Sequence, residues 1–301
     1  MSAENNNNTL VPSEFPAMHA ETFSTPNGTL YLKEPGVFMV AGPAVNISGM
    51  SKFLEGFPEE HNFDDYLNDP VELSPDEQLV KLAGQVCYAS FGPKRTHNDS
   101  VGKYVSNLLS SGHGSVLEHV NYSLVLYGIS RSMSHEGVRH RAGAAFSQLS
   151  QRYVSGNVLR FIERPEYQND EILHNRFMNR IEYLHKEYEE VAEHLYQKQL
   201  EGSSQILTAD SKTDLRKKVN QSARSVLPNE TETIMVMTGN IRAWRHIYNM
   251  RASEHAETEI RIAMFKAYQI LNKVAPVMFQ DFKVVDLPDG TKAAVPEYPK
   301  V

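Results

Sequence analysis

Two stretches with one shared pattern decide the fold that the sequence predicts: YSLVLYGISRSMSHE at residues 122–136 and TIMVMTGNIRAWRHI at residues 233–247. In each, a short apolar run reaches a glycine and continues at helical spacing, which predicts a buried strand followed by a helix. Counting from Gly128 and Gly239, an arginine follows after three residues and a histidine after seven. Two matching positions can arise by chance or by duplication, and both origins stay open.

Helices dominate the rest of the chain. Ser74 is followed by a proline and two acids, a pattern typical of a helix start. Apolar spacing predicts further helices over residues 100–110, about 131–140, 170–200, 213–226, from about 241, and 257–274. Further strands are expected at 37–41 and in a hairpin around Asp289-Gly290. Because strands and helices do not alternate regularly, the pattern favours an α+β fold: a single domain with a small, mainly antiparallel sheet packed by long helices.

The N-terminal segment has a biased composition. MSAENNNNTLVPSEFP places four asparagines in a row beside Ser, Pro and Glu, which predicts disorder. We expect residues 1–35 to be a disordered or unrelated extension, residues 36–292 to form the domain, and residues 293–301 to be a tail. No run approaches the roughly eighteen apolar residues of a membrane span, and the start lacks the pattern of a secretory signal.

The composition also limits the partners. A formal net charge of -7 over 301 residues argues against a general affinity for nucleic acid or anionic membrane, so any basic site must be local. Cys87 is the only cysteine, which excludes an internal disulfide, fits a reducing compartment and leads us to expect a cytoplasmic protein. No base or cation lies beside Cys87 in sequence, so a buried structural thiol is favoured over a nucleophile.

The arginine stretch, RHRAGAAFSQLSQRYV at residues 139–154, gathers four cationic side chains without a carboxylate: Arg139, His140, Arg141 and Arg152. Arginine binds phosphate through a rigid planar fork, and the Ser150 hydroxyl could add a neutral donor. The small residues at 142–145 would let a ligand approach the backbone closely. Two explanations stay open: acids from elsewhere in the fold pair with these cations, or their partner is an anionic ligand.

Two further clusters contain histidine. In NIRAWRHIYNMRASEHAE, residues 240–257, Arg242 and Arg251 are nine positions apart and would point to opposite faces of a helix. Either there are two ligands, or one site belongs to a neighbouring subunit, or one arginine faces solvent. GHGSVLEH, residues 112–119, offers backbone N–H groups to an anion or a flat ring, but its histidines lack the spacing of a zinc motif and no metal is expected. A Rossmann fold is unsupported, because neither GxGxxG nor GxxxxGK[ST] occurs.

These blocks, in this order, resemble the flavin-dependent thymidylate synthases. The family signature, Arg-His-Arg, a spacer, then Ser, Gln or Gly, Arg and Tyr, corresponds here to RHR, AGAAFSQL and SQRY. The supporting blocks are GHGSVLEH, SVLPNETET and TGNIRAWRHIYNMRASEHAETEIR, and the likeness extends from about residue 36 to about residue 292. The family spacer is usually one residue shorter than the eight residues at 142–149, so a bulge is expected among the small residues.

The resemblance implies a reaction and an assembly. The enzyme would transfer the methylene carbon of 5,10-methylenetetrahydrofolate to C5 of dUMP. FAD reduced by NADPH would supply the hydride, giving dTMP and tetrahydrofolate without a protein nucleophile. The family is usually a homotetramer with active sites built from several subunits. Its partners would be dUMP, folate and NADPH, with no nucleic acid and no membrane.

The resemblance also implies roles for the matching residues. Arg251 would be catalytic: it would polarise the uracil and favour ionisation at N3, which makes C5 more electron-rich. A guanidinium suits this role because it stays protonated itself. The residues implied at the dUMP site are Glu136, Arg139, Gln148, Leu149, Ser150, Gln151, Arg152, Arg224 and Arg251. The residues implied at the FAD site are His113, Ser115, Arg139, His140, Arg141, Gln148, Asn240, Ile241, Arg242 and His246.

Two rival functions stay open. A non-catalytic nucleotide-binding or RNA-binding protein could use the same arginines, and it predicts no bound flavin and salt-sensitive binding to polymers. A flavoprotein of the same fold could act on another acceptor. The visible spectrum separates a flavoprotein from a binder, and NADPH oxidation with dUMP, with other nucleotides and with none separates the two flavoproteins.

Overall fold

The computed structural model describes residues 15–55, 57, 72–91, 100–154, 159–201 and 212–301. The strands of this part of the chain are β1 (Ala17–Met18), β2 (Thr22–Ser24), β3 (Leu30–Leu32), β4 (Gly36–Ala41), β5 (Asn121–Ser130), β6 (Ala144–Gln148), β7 (Arg160–Ile162), β8 (Glu232–Asn240), β9 (Phe282–Asp286) and β10 (Lys292–Pro296). The largest sheet has the order β1-β4-β5-β8-β6, and all its neighbouring strands are antiparallel.

The helices are α1 (Met50–Leu54), α2 (Pro75–Tyr88), α3 (Val101–Ser110), α4 (Arg131–Gly137), α5 (Pro165–Gln168), α6 (Glu171–Leu200), α7 (Lys212–Ala223), α8 (Ile241–Arg251) and α9 (Thr258–Val274). Single 3₁₀ turns cover Gly114–His119, Arg224–Val226 and Pro276–Phe279. The predicted start of α2 is confirmed, because Glu77 Oε2 accepts the Ser74 N–H at 3.0 Å. The predicted α+β fold, one domain with small sheets and long helices, is likewise confirmed.

The two stretches that predicted a strand followed by a helix lie side by side in the sheet. They form β5 with α4 and β8 with α8, and the two strands pair from Asn121↔Asn240 to Ser130↔Glu232. One face of this pair belongs to the main core, where four side chains are fully buried: Leu124, Leu126, Met235 and Met237. Because the two strands are antiparallel, α4 and α8 begin at opposite ends of the pair.

Residues 15–35 are ordered, so the expected disorder does not extend over them, and the boundary of a family-unrelated extension at residue 35 stays a prediction. β3 pairs antiparallel with β2 and parallel with β7, which gives a second, three-stranded sheet. Tyr31 of β3 packs with Phe161 and Phe177 in a small core of its own. Strands of two or three residues are too short for an alternating pattern to reveal them. Residues 1–14, where the asparagines lie, are outside the described part.

The predicted C-terminal hairpin is confirmed as β9 and β10, which pair in register with Lys292 opposite Asp286. Gly290 in the turn has φ +81, a conformation that favours glycine. The hairpin crosses the expected start of a tail at residue 293, because Ala293 and Ala294 are buried within β10. The chain after residue 292 is therefore packed structure rather than a loose tail.

Cys87 is exposed, which corrects the prediction of a buried thiol. The α2 helix turns its Gly84 side inward: a Cβ at Gly84 would lie 1.9 Å from the Tyr104 hydroxyl oxygen. Leu79 and Ala83 pack against the main core, whereas Val86, one turn further along the helix, is 52% exposed. Among the described residues, none of the helices is both long enough and apolar enough to span a bilayer.

Candidate active site along helix α8

The α8 helix positions two groups of predicted site residues at its opposite ends. Asn240 starts the helix, and its side-chain Oδ1 accepts the Ala243 N–H at 2.8 Å. Arg242 lies in the first turn and Arg251 is the last helical residue. The two arginines therefore lie at opposite ends of α8, and that they point to opposite faces of the helix stays a prediction.

Arg251 donates hydrogen bonds to two side chains that follow β5 in the chain, one on α4 and one just after it. Its Nε donates to His140 Nε2 at 2.9 Å, and its Nη1 donates to Glu136 Oε2 at 2.6 Å. Glu136 projects from α4, and its side chain is 38% exposed. The strand–helix units β5–α4 and β8–α8 thus meet through three predicted site residues, and the Arg251 guanidinium is fixed at the surface.

His140 must be neutral in this arrangement, because its Nε2 accepts a hydrogen bond. Burial lowers the pKa of His140 to about 4, with further contributions from the charge of Arg251 and from His246. The rings of His140 and His246 meet edge to face, with centroids 5.8 Å apart. His140 therefore connects the Arg251 end of α8 with the middle of the helix.

A cavity of about 410 Å³ lies at the Arg242 end of α8. Arg242 Nη1 donates to Glu118 Oε1 at 2.6 Å, which joins α8 to the GHGSVLEH block. The cavity lining combines this pair with small, amide and imidazole groups: Glu118, Ala142, Gly143, Asn240, Arg242, His246, Pro299, Lys300 and Val301. Three residues implied at the FAD site, Asn240, Arg242 and His246, therefore line the same cavity.

A second cavity, of about 540 Å³, lies between α2 and the GHGS turn, and Arg242 lines both cavities. His113 and Ser115 are exposed on this turn and line the second cavity. Gly114 between them is buried: a Cβ there would lie 2.9 Å from Val301 Cγ1 and 3.1 Å from Arg242 Nε. Only glycine lets the turn approach α8 this closely.

The residues implied at dUMP, Gln148–Arg152, leave the end of β6 beside α4. Gln148 Nε2 donates to Ser134 Oγ at 2.7 Å. The Leu149 N–H donates to the Ile234 carbonyl at 2.8 Å, which extends the ladder with β8 by one bond. This segment is therefore fixed against both strand–helix units.

Three arginines of the arginine stretch have no carboxylate partner within the part of the chain described. Arg139 and Arg141 are exposed, and Arg152 Nε is buried without a hydrogen bond. A turn closed by Ala144 N–H and Arg141 O at 3.3 Å precedes β6, with Gly143 at φ +69, where the extra spacer residue was expected. Of the two explanations for this charge, an anionic ligand is favoured.

Arg131 was not singled out as a ligand by sequence, although it is the arginine that follows Gly128 by three residues. It starts α4, and burial together with nearby Arg224 lowers its pKa. Arg224, implied at dUMP, begins the 3₁₀ turn after α7. Two cations so placed suit an anion. The sequence also did not indicate Glu118 and Ser134, because a residue that only pairs with a ligand-binding residue has no sequence pattern of its own.

The donor set fits a flavin nucleotide. It offers cations and imidazoles around two adjoining cavities. Ile241 is different: its side chain is fully buried, its N–H donates to Val120 O, and its carbonyl belongs to the first turn of α8. Within the described residues, no cluster of three or more potential metal ligands occurs.

Comparisons with known proteins identify the family of the chain. A family profile described as "Thymidylate synthase complementing protein" matches residues 71–277. A flavin-dependent thymidylate synthase of Mycobacterium avium is 41% identical over 216 residues, 72% of this chain and 83% of the relative. That of Corynebacterium diphtheriae is 39% identical over 225 residues, 74% of this chain and 85% of the relative.

The fold has a solved counterpart as well. The UMP/dUMP methylase PolB from Streptomyces cacaoi, bound with 5-Br dUMP, superposes with a TM-score of 0.52 and 19% identity, covering 82% of this chain and 93% of that one. This likeness concerns the fold alone. On the family profile and the sequence identity, the chain belongs to the family of flavin-dependent thymidylate synthases, and it is an enzyme of that family.

Proposed function

We propose that the protein makes dTMP from dUMP, with the methylene carbon of 5,10-methylenetetrahydrofolate and with reducing equivalents from NADPH through FAD. The observation that carries the proposal is Arg251, fixed between Glu136 and His140 next to arginines without acid partners. The names of the curated relatives support dUMP as the substrate. PolB, named a UMP/dUMP methylase, agrees with it.

Arg251 would act as the polarising residue. Its Nε and Nη1 are occupied by His140 and Glu136, and Nη2 has no hydrogen-bond acceptor among the described residues. That free donor could bind a uracil oxygen and stabilise the negative charge that develops when N3 loses its proton. The ring then becomes more electron-rich at C5. No side-chain nucleophile is needed, and the exposed Cys87 has no part in the proposal.

The remaining dUMP residues would hold the nucleotide. Arg224, with Arg131 beside it, offers two cations for the phosphate. The segment Gln148–Arg152 would wrap the base and sugar, since its backbone is fixed to β8 and its Gln148 side chain to Ser134. Arg139 would contact both dUMP and FAD, because in the sequence it lies between α4 and the cavity residues Ala142 and Gly143.

The FAD residues would be His113, Ser115, Asn240, Arg242 and His246, which line the two cavities. Arg139, His140, Arg141 and Gln148, which do not line either cavity, are included on the family resemblance. When bound, the flavin supplies the redox chemistry, and the protein binds and orients. Ile241, buried between Asn240 and Arg242 in the chain, would position these two residues. NADPH as reductant and the folate as carbon donor follow from the family.

We also infer a homotetramer whose sites combine several copies of the chain. Arg242 and Arg251 lie at opposite ends of α8, and exposed Arg139 and Arg141 have no described partner on their own chain. A neighbouring copy could bring its own anionic ligand to these arginines. Active sites shared between copies would then account for cations that one chain leaves unpaired.

The test is conversion of dUMP to dTMP with methylenetetrahydrofolate, NADPH and FAD. We expect Arg251→Ala to lower turnover by about 10²- to 10³-fold, as for loss of one donor that stabilises a developing anion. The flavin spectrum and FAD affinity should be retained, because Arg251 lies away from the Arg242 cavity. Arg176→Ala, an exposed arginine on α6, is the matched control and should behave as the parent.

The outcomes separate the alternatives. Parent protein that forms no dTMP but oxidises NADPH regardless of dUMP would favour the flavoprotein with another acceptor. Protein that takes up no flavin and binds polymers at low salt would favour the non-catalytic binder. Full turnover in Arg251→Ala would show that Arg251 does not polarise the uracil. It would not contradict the proposed overall reaction.

A further inference from the structure

The chain after the hairpin returns across α8 in a fixed conformation. We call residues Glu297–Val301 the C-terminal segment. Its first two N–H groups bind Asp281: Glu297 N–H donates to the carbonyl at 3.1 Å, and Tyr298 N–H donates to Oδ2 at 3.2 Å. The segment is thus tied to the residue that precedes β9, and it lies against the helix that carries the site.

Arg245 is the second tether. It is 1% exposed, and its Nη1 and Nη2 bind the two carboxylate oxygens of Asp281 at 2.7 and 2.9 Å. Its Nε also donates to the Val301 carbonyl at 3.3 Å. A buried guanidinium is costly unless its donors are satisfied, and here backbone oxygens of the C-terminal segment complete the set. Helix α8 therefore holds the segment from its inner face.

The tethers place the segment between the two halves of the candidate FAD site. Val301 is 6% exposed and contacts Gly114 of the GHGS turn. Pro299 and Lys300 line the 410 Å³ cavity together with the α8 residues. The one side-chain carboxylate in the lining, Glu118, already pairs with Arg242 at 2.6 Å. Lys300 has no ion-pair partner among the described residues, so its charge is available to a ligand.

We propose that Lys300 binds a phosphate group of the flavin nucleotide and that the C-terminal segment forms a wall of this site. The inference rests on the proposed function for the identity of the ligand. It concerns a part of the chain beyond residues 71–277, where the family profile matches. A flexible lysine on a rigidly tethered backbone suits a phosphate, which it binds as a point charge without the planar geometry that arginine requires.

The test is equilibrium binding to flavin-free full-length protein, measured by quenching of flavin fluorescence. Lys300→Ala should weaken FAD binding about three- to tenfold, as expected for one charge-assisted hydrogen bond, and Lys300→Arg should stay within about twofold of the parent. Riboflavin, which has no phosphate, should bind all three proteins equally. The FAD difference should shrink in about 0.5 M KCl because salt screens an exposed charge.

Two controls complete the design. Lys283→Ala removes an exposed lysine from β9 of the same hairpin and should leave FAD binding unchanged. A dUMP titration of Lys300→Ala should match the parent. Weaker dUMP binding with normal FAD binding would show that Lys300 binds dUMP rather than FAD, and would overturn the inference. Equal FAD affinity in parent and Lys300→Ala would overturn it too. Parent protein that binds no FAD at all would instead bring down the proposed function, and this inference with it.

Discussion

His140 illustrates how one side chain can depend on the protonation state of the site. It accepts a hydrogen bond from Arg251, lies against His246 and has its pKa lowered to about 4 by burial and by these neighbours. An unfolded histidine titrates near 6.5. Between these two values the unfolded chain binds a proton that the folded chain does not, so falling pH favours unfolding.

We therefore predict that His140→Gln makes stability less dependent on pH. In the parent, the free energy of unfolding should decrease as the pH falls from about 6.5 towards 4, and this contribution should level off below about 4. The glutamine carbonyl can still accept from Arg251 but does not titrate in this range. Urea midpoints at pH 7 and pH 5 measure the effect, and His255→Gln, with a ring 88% exposed, is the control. The same decrease in parent and His140→Gln would contradict the assignment.

At this scale, sequence predicted the residue types well and their partners poorly. The charge of Arg139–Arg152 and the opposed positions of Arg242 and Arg251 were readable from spacing alone. The pairing of Arg251 with Glu136 was not, because it depends on how β5 and β8 align. Hydrogen bonds between residues about a hundred positions apart are set by register, which no local pattern encodes.

Among the elements, helix starts determine where the site residues point. Both central helices begin at a capped residue directly after a strand: Asn240 caps α8, and Ser130 caps α4 by accepting the Met133 N–H at 3.0 Å. Ser130 Oγ also donates to Glu259 Oε2 at 2.7 Å, and Glu259 is 2% exposed. The α4 cap is therefore coupled to a buried carboxylate on α9.

We predict that Ser130→Ala destabilises the fold by about 2–3 kcal/mol, since it removes both a helix cap and a hydrogen bond to a buried carboxylate. Ser100→Ala removes a cap at the start of α3, an exposed bond to Lys103 N–H at 3.3 Å, and should cost about 1 kcal/mol or less. Thermal or urea unfolding of the two variants measures the difference. Equal losses would mean that the Glu259 contact contributes nothing.

Long elements were predicted from sequence, and short ones were not. Apolar spacing over many residues identified α6, α9 and the strands β5 and β8, because periodicity accumulates over length. It missed β1, β2 and β3, which have two or three residues each. Along α2 the apolar pattern holds in part: Leu79 and Ala83 pack against the main core, whereas Val86 is exposed.

In the whole molecule, the five-stranded sheet has one covered face and one open face. The core side carries Leu124 and Met237, whereas the other side exposes Val40 by 42% and Val236 by 37%. The part of the chain that the structure describes covers only one face of this sheet, which leaves the second face available to another copy in the homotetramer that we infer.

We predict that Val236→Glu lowers the mass of the assembly while one chain stays folded. The parent should have a native mass about four times the 34.0 kDa of one chain. A carboxylate in the middle of the open face would be desolvated on assembly without a partner, which opposes association. Val295→Glu is the matched control, because Val295 is 45% exposed on the C-terminal hairpin. Light scattering coupled to size exclusion gives the masses, and circular dichroism confirms folding. If Val236→Glu keeps the parent's mass, the open face is not the interface. If the parent itself is a monomer, a second copy cannot supply ligands to the cations that are left unpaired on one chain.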